Sequence, residues 1–203
     1  MTLDYTGKVV IVTGAGGGLG RSHALEFARR GAKVVVNDLG GSVDGSGGSS
    51  EAADKVVEEI KAAGGEAISN GSSVTDDAGV ANMVQQTMDA YGRIDALVNN
   101  AGVLRDKSFA KMEVGDFSFV VDVHLFGTMK PTKAVWPIMK EQGYGRILVT
   151  SSSSGLYGNF GQANYGAAKL GVVGLINTLK LEGQKDNIHV NALAPVAWTR
   201  MTS

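Results

Sequence analysis

The stretch KVVIVTGAGGGLGRSHALEFARRGAKVVVND, residues 8–38, decides the fold. Its β-branched runs at 8–12 and 33–37 are almost continuously apolar, as in parallel strands buried on both faces, and do not alternate as half-exposed strands do. Between them, residues 19–30 carry a helical pattern that Gly31 closes. Strand, glycine-rich turn, helix and second strand make one βαβ unit. Right-handed crossovers then leave few arrangements other than a parallel sheet with helices on its faces.

The same alternation continues along the chain. Further strand-like runs stand at 94–98, 146–150 and 188–193, with a weaker one at 66–69, and a helical stretch at 50–63 closes on Gly64 and Gly65. These predict an α/β fold with a doubly wound parallel sheet of Rossmann type, in three α/β/α layers and a single domain over residues 1–203. The one low-complexity stretch, GGSVDGSGGSS at 40–50, has no periodic apolar face and reads as a flexible loop.

Bulk composition narrows the function classes. The near balance of 19 basic and 20 acidic residues gives no broad attraction for nucleic acid or anionic lipid, so small-molecule chemistry leads. No run approaches a membrane span, and the amino terminus lacks the regions of a signal peptide, so the expected location is cytoplasmic. The chain has no cysteine, which excludes disulfides, thiolate nucleophiles and cysteine-based zinc sites. No metal is expected. Catalytic groups must be oxygen or nitrogen ones.

Directly after the first strand stand Gly14, Gly18 and Gly20, spaced T-G-x-x-x-G-x-G, and a helix pattern follows. Glycines at such a turn let the backbone approach a pyrophosphate, whose charge the helix amino terminus stabilises. An isolated glycine run would only make a tight turn; its place between strand and helix gives it the nucleotide role. Asp38 ends the second strand, where a carboxylate can accept the hydroxyls of an adenosine ribose and repel a 2′-phosphate, which favours NAD over NADP. As a plain turn initiator it would need no ligand. The run Asn99, Asn100, Ala101, Gly102 also falls at a carboxyl end of the sheet, the ligand-binding edge of such folds.

Tyr165 and Lys169 are four apart in a helical stretch and share a face. A phenol is a poor base at neutral pH, but an ammonium about 4 Å away is worth about 4 kcal/mol at an effective dielectric near 20. Lysine is thus expected to draw the tyrosine toward neutrality, where it can exchange a proton with an alcohol as hydride leaves. The same spacing is common in ordinary amphipathic helices. Four adjacent serines, 151–154, end the fifth strand. One hydroxyl there is placed to hold a substrate oxygen, or merely to cap a helix.

T13-G14-x-x-x-G18-x-G20, N99-N100-A101-G102, the serine cluster, Y165-x-x-x-K169 and the strand ending in Pro195 together resemble the short-chain dehydrogenase/reductase family over essentially the whole chain. The resemblance implies Ser152, Tyr165 and Lys169 as the catalytic set, because the family's serine precedes its tyrosine by 13 positions. It implies that Lys169 and Tyr165 also meet the cofactor, along with Leu19, Ser73, Val74 and Pro195. The stretches VVVNDLGG, NNAGVLRDKSFAKM and YGNFGQANY look like the (3R)-hydroxyacyl-CoA dehydrogenase part of the type 2 peroxisomal multifunctional enzymes and their bacterial relatives. That subgroup implies NAD, an acyl-CoA substrate oxidised at carbon 3, and a homodimer or homotetramer. The alternatives are another secondary alcohol, such as a steroid or sugar, and a nucleotide-binding module without turnover.

Some positions depart from the family pattern. His124 stands where most members have asparagine, and a packed helix residue is its expected role over that of a catalytic base. Ser73-Val74 replaces Asp-Val, Val196 replaces a glycine, and the aligned threonine, Thr199, falls one position early. Against the family's length, a domain of 203 residues is expected to lack the substrate lid and last strand.

Overall fold

Six parallel strands form one sheet in the order β3-β2-β1-β4-β5-β6. They are β1 (Val9–Thr13), β2 (Lys33–Asn37), β3 (Glu66–Asn70), β4 (Ala96–Asn99), β5 (Gly145–Thr150) and β6 (Ile188–Leu193). The helices are α1 (Gly18–Arg29), α2 (Glu51–Ala62), α3 (Asp77–Tyr91), α4 (Val114–Val121), α5 (Gly127–Gln142), α6 (Ser153–Tyr157) and α7 (Ala163–Gly183). This computed structural model describes residues 3–47 and 49–196. Thr199 and the last residues of the expected 1–203 domain lie outside them.

The doubly wound, three-layer arrangement is the one the βαβ pattern predicts. All five β1 residues are buried because helices cover both faces. On one side Val10, Val12, Val34 and Val36 pack against Ala24 and Ala28 of α1 and Val56 and Ile60 of α2. On the other, Ile11, Val35, Leu97 and Ile147 meet Met83 of α3, Val135 and Met139 of α5, and Val172 and Ile176 of α7. Each fully buried aliphatic side chain contributes roughly 1.5–3 kcal/mol, so the two apolar layers hold the sheet between them.

Element ends differ slightly from the sequence reading. The fourth strand starts at Ala96 instead of residue 94. Ahead of it, Asp95 is 1% exposed and takes the Val9 N–H at 2.9 Å and the Arg93 fork at 2.7 and 2.6 Å. With Lys8 Nζ at 3.3 Å as a fourth donor, this buried carboxylate ties the amino ends of β1 and β4 together.

The loop after β2, read from its composition as flexible, carries local structure at residues 42–46. It forms a turn in which Asp44 accepts from the Ser42 hydroxyl and from Ser46 N–H at 3.0 Å, while Ser42 N–H reaches the Ser46 carbonyl at 2.8 Å. Polar turn chemistry, not an apolar face, orders it. Apolar periodicity is blind to such a turn.

Candidate active site

The carboxyl ends of β1, β2, β4 and β5 open into one cavity of about 820 Å³. Neighbouring strands lie about 4.8 Å apart, so the cleft from β2 to β5 spans about 14 Å, a length suited to an extended dinucleotide. Sheet order separates the two chemistries: glycine turn and Asp38 at β1 and β2, serine and tyrosine beyond β5.

Gly14 has φ +63°, and a Cβ there would stand 2.7 Å from Ala101 Cα. Only glycine lets the β1 turn lie so close to the loop after β4. Gly18 has φ +53° and starts α1, whose first amides have no intrahelical acceptor. Gly17, Gly18 and Leu19 line the cavity, so those amides and the positive helix end are available to a phosphate. Gly20 does not line it; a Cβ there would overlap the Gly14 carbonyl oxygen. Its place is in close packing beneath the turn.

Asp38 is 9% exposed, with one oxygen 2.7 Å from Gly16 N and the other 2.7 Å from Gly40 N. These two bonds fix the carboxylate at the cavity wall and leave lone pairs for ribose hydroxyls. Asn100 donates its side-chain amide to the Thr13 and Gly14 carbonyls at 3.1 and 3.0 Å, and the Thr13 hydroxyl accepts from Asn100 N and Ala101 N. Thr13 is therefore a latch the site reading missed: it clamps the ends of β1 and β4 across the switch point of the sheet. Ser73, Val74, Ala101, Gly102 and Pro195 also line the cavity. Asn37 was likewise missed. Its buried amide donates to Asn70 Oδ1 and to the Ser72 carbonyl at 2.8 Å each, holding the loop after β3.

The four serines separate by environment. Ser151 is buried and donates to the Lys169 carbonyl at 2.8 Å, a packing bond. Ser152 caps α6, accepting the Ser154 N–H at 3.2 Å, and its hydroxyl also faces Tyr165. The cap and the contact with the phenol fall on one residue.

Lys169 is 4% exposed and donates to the Thr150 carbonyl at 2.6 Å. Burial pushes its ammonium down to about 7. The expected drop in the Tyr165 phenol is not found. Burial pushes it above its ordinary value of 10.0, the Ser152 hydroxyl pulls it back in part, and Asp106 adds to the rise. Lys169 Nζ lies 5.5 Å from the Tyr165 ring centroid, and burial, by disfavouring the lysine's charge, works against the drop that a charged neighbour would give.

His124 is 1% exposed in a π-helical turn, Asp122–Phe126, that joins α4 to α5. Its Nε2 lies 3.1 Å from the Val103 N and 2.8 Å from the Val103 O, and its ring meets that of Tyr165 edge-on at 4.9 Å. Burial, then the nearby Lys169, hold its pKa well below 6.5. A neutral, packed imidazole supports the tyrosine ring from behind.

Among the described residues no cluster could hold a metal, and no helix is long and apolar enough to cross a membrane. Residues 8–203 match the short chain dehydrogenase family. The peroxisomal multifunctional enzyme A of Dictyostelium discoideum is 59% identical over 202 residues, covering 100% of this chain and 45% of that protein. The peroxisomal multifunctional enzyme type 2 of Mus musculus is 58% identical over 200 residues, covering 98% and 27%. This chain thus spans less than half the length of either relative. A 7α-hydroxysteroid dehydrogenase solved with NADH and a 7-oxo bile acid superposes with a TM-score of 0.90 at 31% identity, covering 98% of this chain and 74% of that one.

Proposed function

Because the chain belongs to the short-chain dehydrogenase family, we propose that it transfers hydride between NAD and the 3-hydroxyl carbon of a (3R)-3-hydroxyacyl-CoA, giving the 3-oxoacyl-CoA. The carrying observation is the convergence of Ser152, Tyr165 and Lys169 on the cavity that also holds the glycine turn and Asp38. A pure nucleotide binder has no use for a phenol and a buried lysine on the far wall.

The residues fit the dinucleotide. Gly17, Gly18 and the α1 amides would hold the pyrophosphate, and Asp38 the adenosine ribose, with no lysine or arginine among the cavity residues beside Asp38 to receive a 2′-phosphate. Bound NAD supplies the hydride acceptor. Ser152 holds the substrate oxygen by a hydrogen bond, and Tyr165 removes the hydroxyl proton. Since phenolate and ammonium favour one another, Lys169 gains its proton as the phenol loses one, and the pair titrates as a unit. His124 and Gly102 fix the ring, because a Cβ on Gly102 would overlap the imidazole.

Leu156, Tyr157 and Phe160, between Ser152 and Tyr165 in the chain, are exposed, and apolar surface so near the site in sequence suits an acyl group. The names of the two relatives speak only of multifunctional enzymes, and it is the resemblance of this sequence to their hydroxyacyl-CoA dehydrogenase part that supports the same substrate class. The names also give a peroxisomal setting, against the cytoplasmic location expected from the sequence. A homodimer or homotetramer completes the reading, with exposed Val114, Phe126 and Leu170 as apolar helix surface for pairing. The steroid dehydrogenase favours a second reading, the same chemistry on a steroid alcohol.

The test is absorbance of reduced nicotinamide with NAD and (3R)-3-hydroxyacyl-CoA thioesters, using Tyr165→Phe as the blank. Tyrosine-dependent reduction is expected, with NAD affinity unchanged in the variant. Equal rates in both proteins would remove Tyr165 as the base, and reduction with a hydroxysteroid alone would give the site to the second reading.

A further inference from the structure

The ordered loop after β2 does not stay on its own side of the sheet. The Val43 carbonyl accepts the Leu104 N–H at 2.9 Å, and the Asp44 carbonyl accepts Arg105 Nε at 3.1 Å. Leu104 and Arg105 follow β4, and β1 lies between β2 and β4. A hydrogen bond joining the β2 and β4 loops must therefore cross the carboxyl end of β1, where the Gly14–Gly18 turn sits.

Side chains reinforce the crossing. The Arg105 guanidinium lies 3.9 Å from the Phe119 ring centroid and 3.5 Å from Asp116. Gly45, at φ +85°, packs so closely that a Cβ would stand 2.7 Å from the Phe119 ring. Behind Arg105, its carbonyl accepts the amide of Asn164 at 3.0 Å, and Asn164 is fully buried immediately before Tyr165. Gly41, Ser42 and Gly45 line the cavity from one side, Val103, Leu104 and Phe119 from the other. One arch thus links the cofactor half of the cleft to the helix that carries the tyrosine.

We propose that residues 42–46 form a bridge over the nucleotide cleft, latched by Arg105, that NAD must open to enter and leave. The proposal rests on the NAD reading above. A gate already closed in the free protein has a kinetic signature: the observed binding rate levels off at the opening rate as nucleotide rises.

The experiment is stopped-flow fluorescence of NADH binding and release. Because the chain has no cysteine, Val43→Cys with Leu104→Cys places the only two thiols on either side of the crossing. In the wild type the binding rate should saturate. Arg105→Ala should raise the saturating rate and the release rate about tenfold, the order expected from losing one charge-assisted hydrogen bond. The oxidised double-cysteine protein should slow both by at least about tenfold, and dithiothreitol should restore them. Release and entry rates equal in wild type, Arg105→Ala and both redox forms would overturn the bridge while leaving the NAD site intact. If the thiols stay free, the Arg105→Ala rates decide alone. Absence of NADH binding in every form would overturn the nucleotide reading and the bridge with it.

Discussion

Replacing Lys169 with methionine should stabilise the folded protein at neutral pH while abolishing turnover. Burial lowers the ammonium from 10.5 to about 7, so folding favours the neutral amine. The sign follows directly. Between these two values the unfolded chain binds more protons than the native one, so this group makes wild-type stability rise with pH by up to about 1.4 kcal/mol per pH unit. At or below pH 7 its cost is at its fullest, on the order of 5 kcal/mol. Methionine removes that cost but leaves the Thr150 carbonyl without its 2.6 Å donor, a loss of about 1–3 kcal/mol. The net gain is about 3 kcal/mol at pH 7, vanishes near pH 9, and reverses above that pH. Urea unfolding followed by circular dichroism at pH 7, 8, 9 and 10 measures it, since other titrating groups cancel between the two proteins. A stability difference that does not change with pH, or a variant less stable at pH 7, would refute the claim that Lys169 is held against its charge.

Asp38→Asn keeps the size of the side chain and removes its charge; discrimination between NAD and NADP should fall about tenfold or more in fluorescence titrations. An unchanged ratio would take Asp38 out of the ribose site. Gly20→Ala forces a methyl into the Gly14 carbonyl and should cost roughly 3 kcal/mol with weakened NADH binding, so an unaltered melting temperature would contradict the packing role. Asp95→Asn should cost about 3 kcal/mol at neutral pH by leaving the Arg93 fork without its charge. Burial pushes the Asp95 carboxyl up, but Arg93 and the Val9 N–H more than offset this and hold it below its ordinary 3.8. The stabilisation is therefore present above the unfolded value and lost as pH falls through the native one. Wild type should lose this advantage over the Asn variant below about pH 4, and parallel acid curves would count against it.

Much of this architecture is legible from the chain alone because the physics is local. Continuous apolar runs at Val9–Val12 and Val34–Val36 can be satisfied only between two layers, and glycines at 14, 18 and 20 have positive φ or contact reasons that a strand-to-helix turn imposes. The pairing of Tyr165 with Lys169 on one helix face is likewise a matter of spacing. Which serine faces the phenol is not: Ser151 and Ser152 differ only in what the fold puts opposite them. Tertiary structure alone decides the charge state of Lys169, because burial is a sum over neighbours from β5 and α7 that no spacing reveals. Thr13 and Asn37 lay hidden for the same reason, their partners being 87 and 33 residues away. The loop at 42–46 shows the division most plainly. Its sequence fixes a polar, glycine-rich turn without an apolar face, and only the order of strands in the sheet carries that turn across β1 to Leu104 and Arg105.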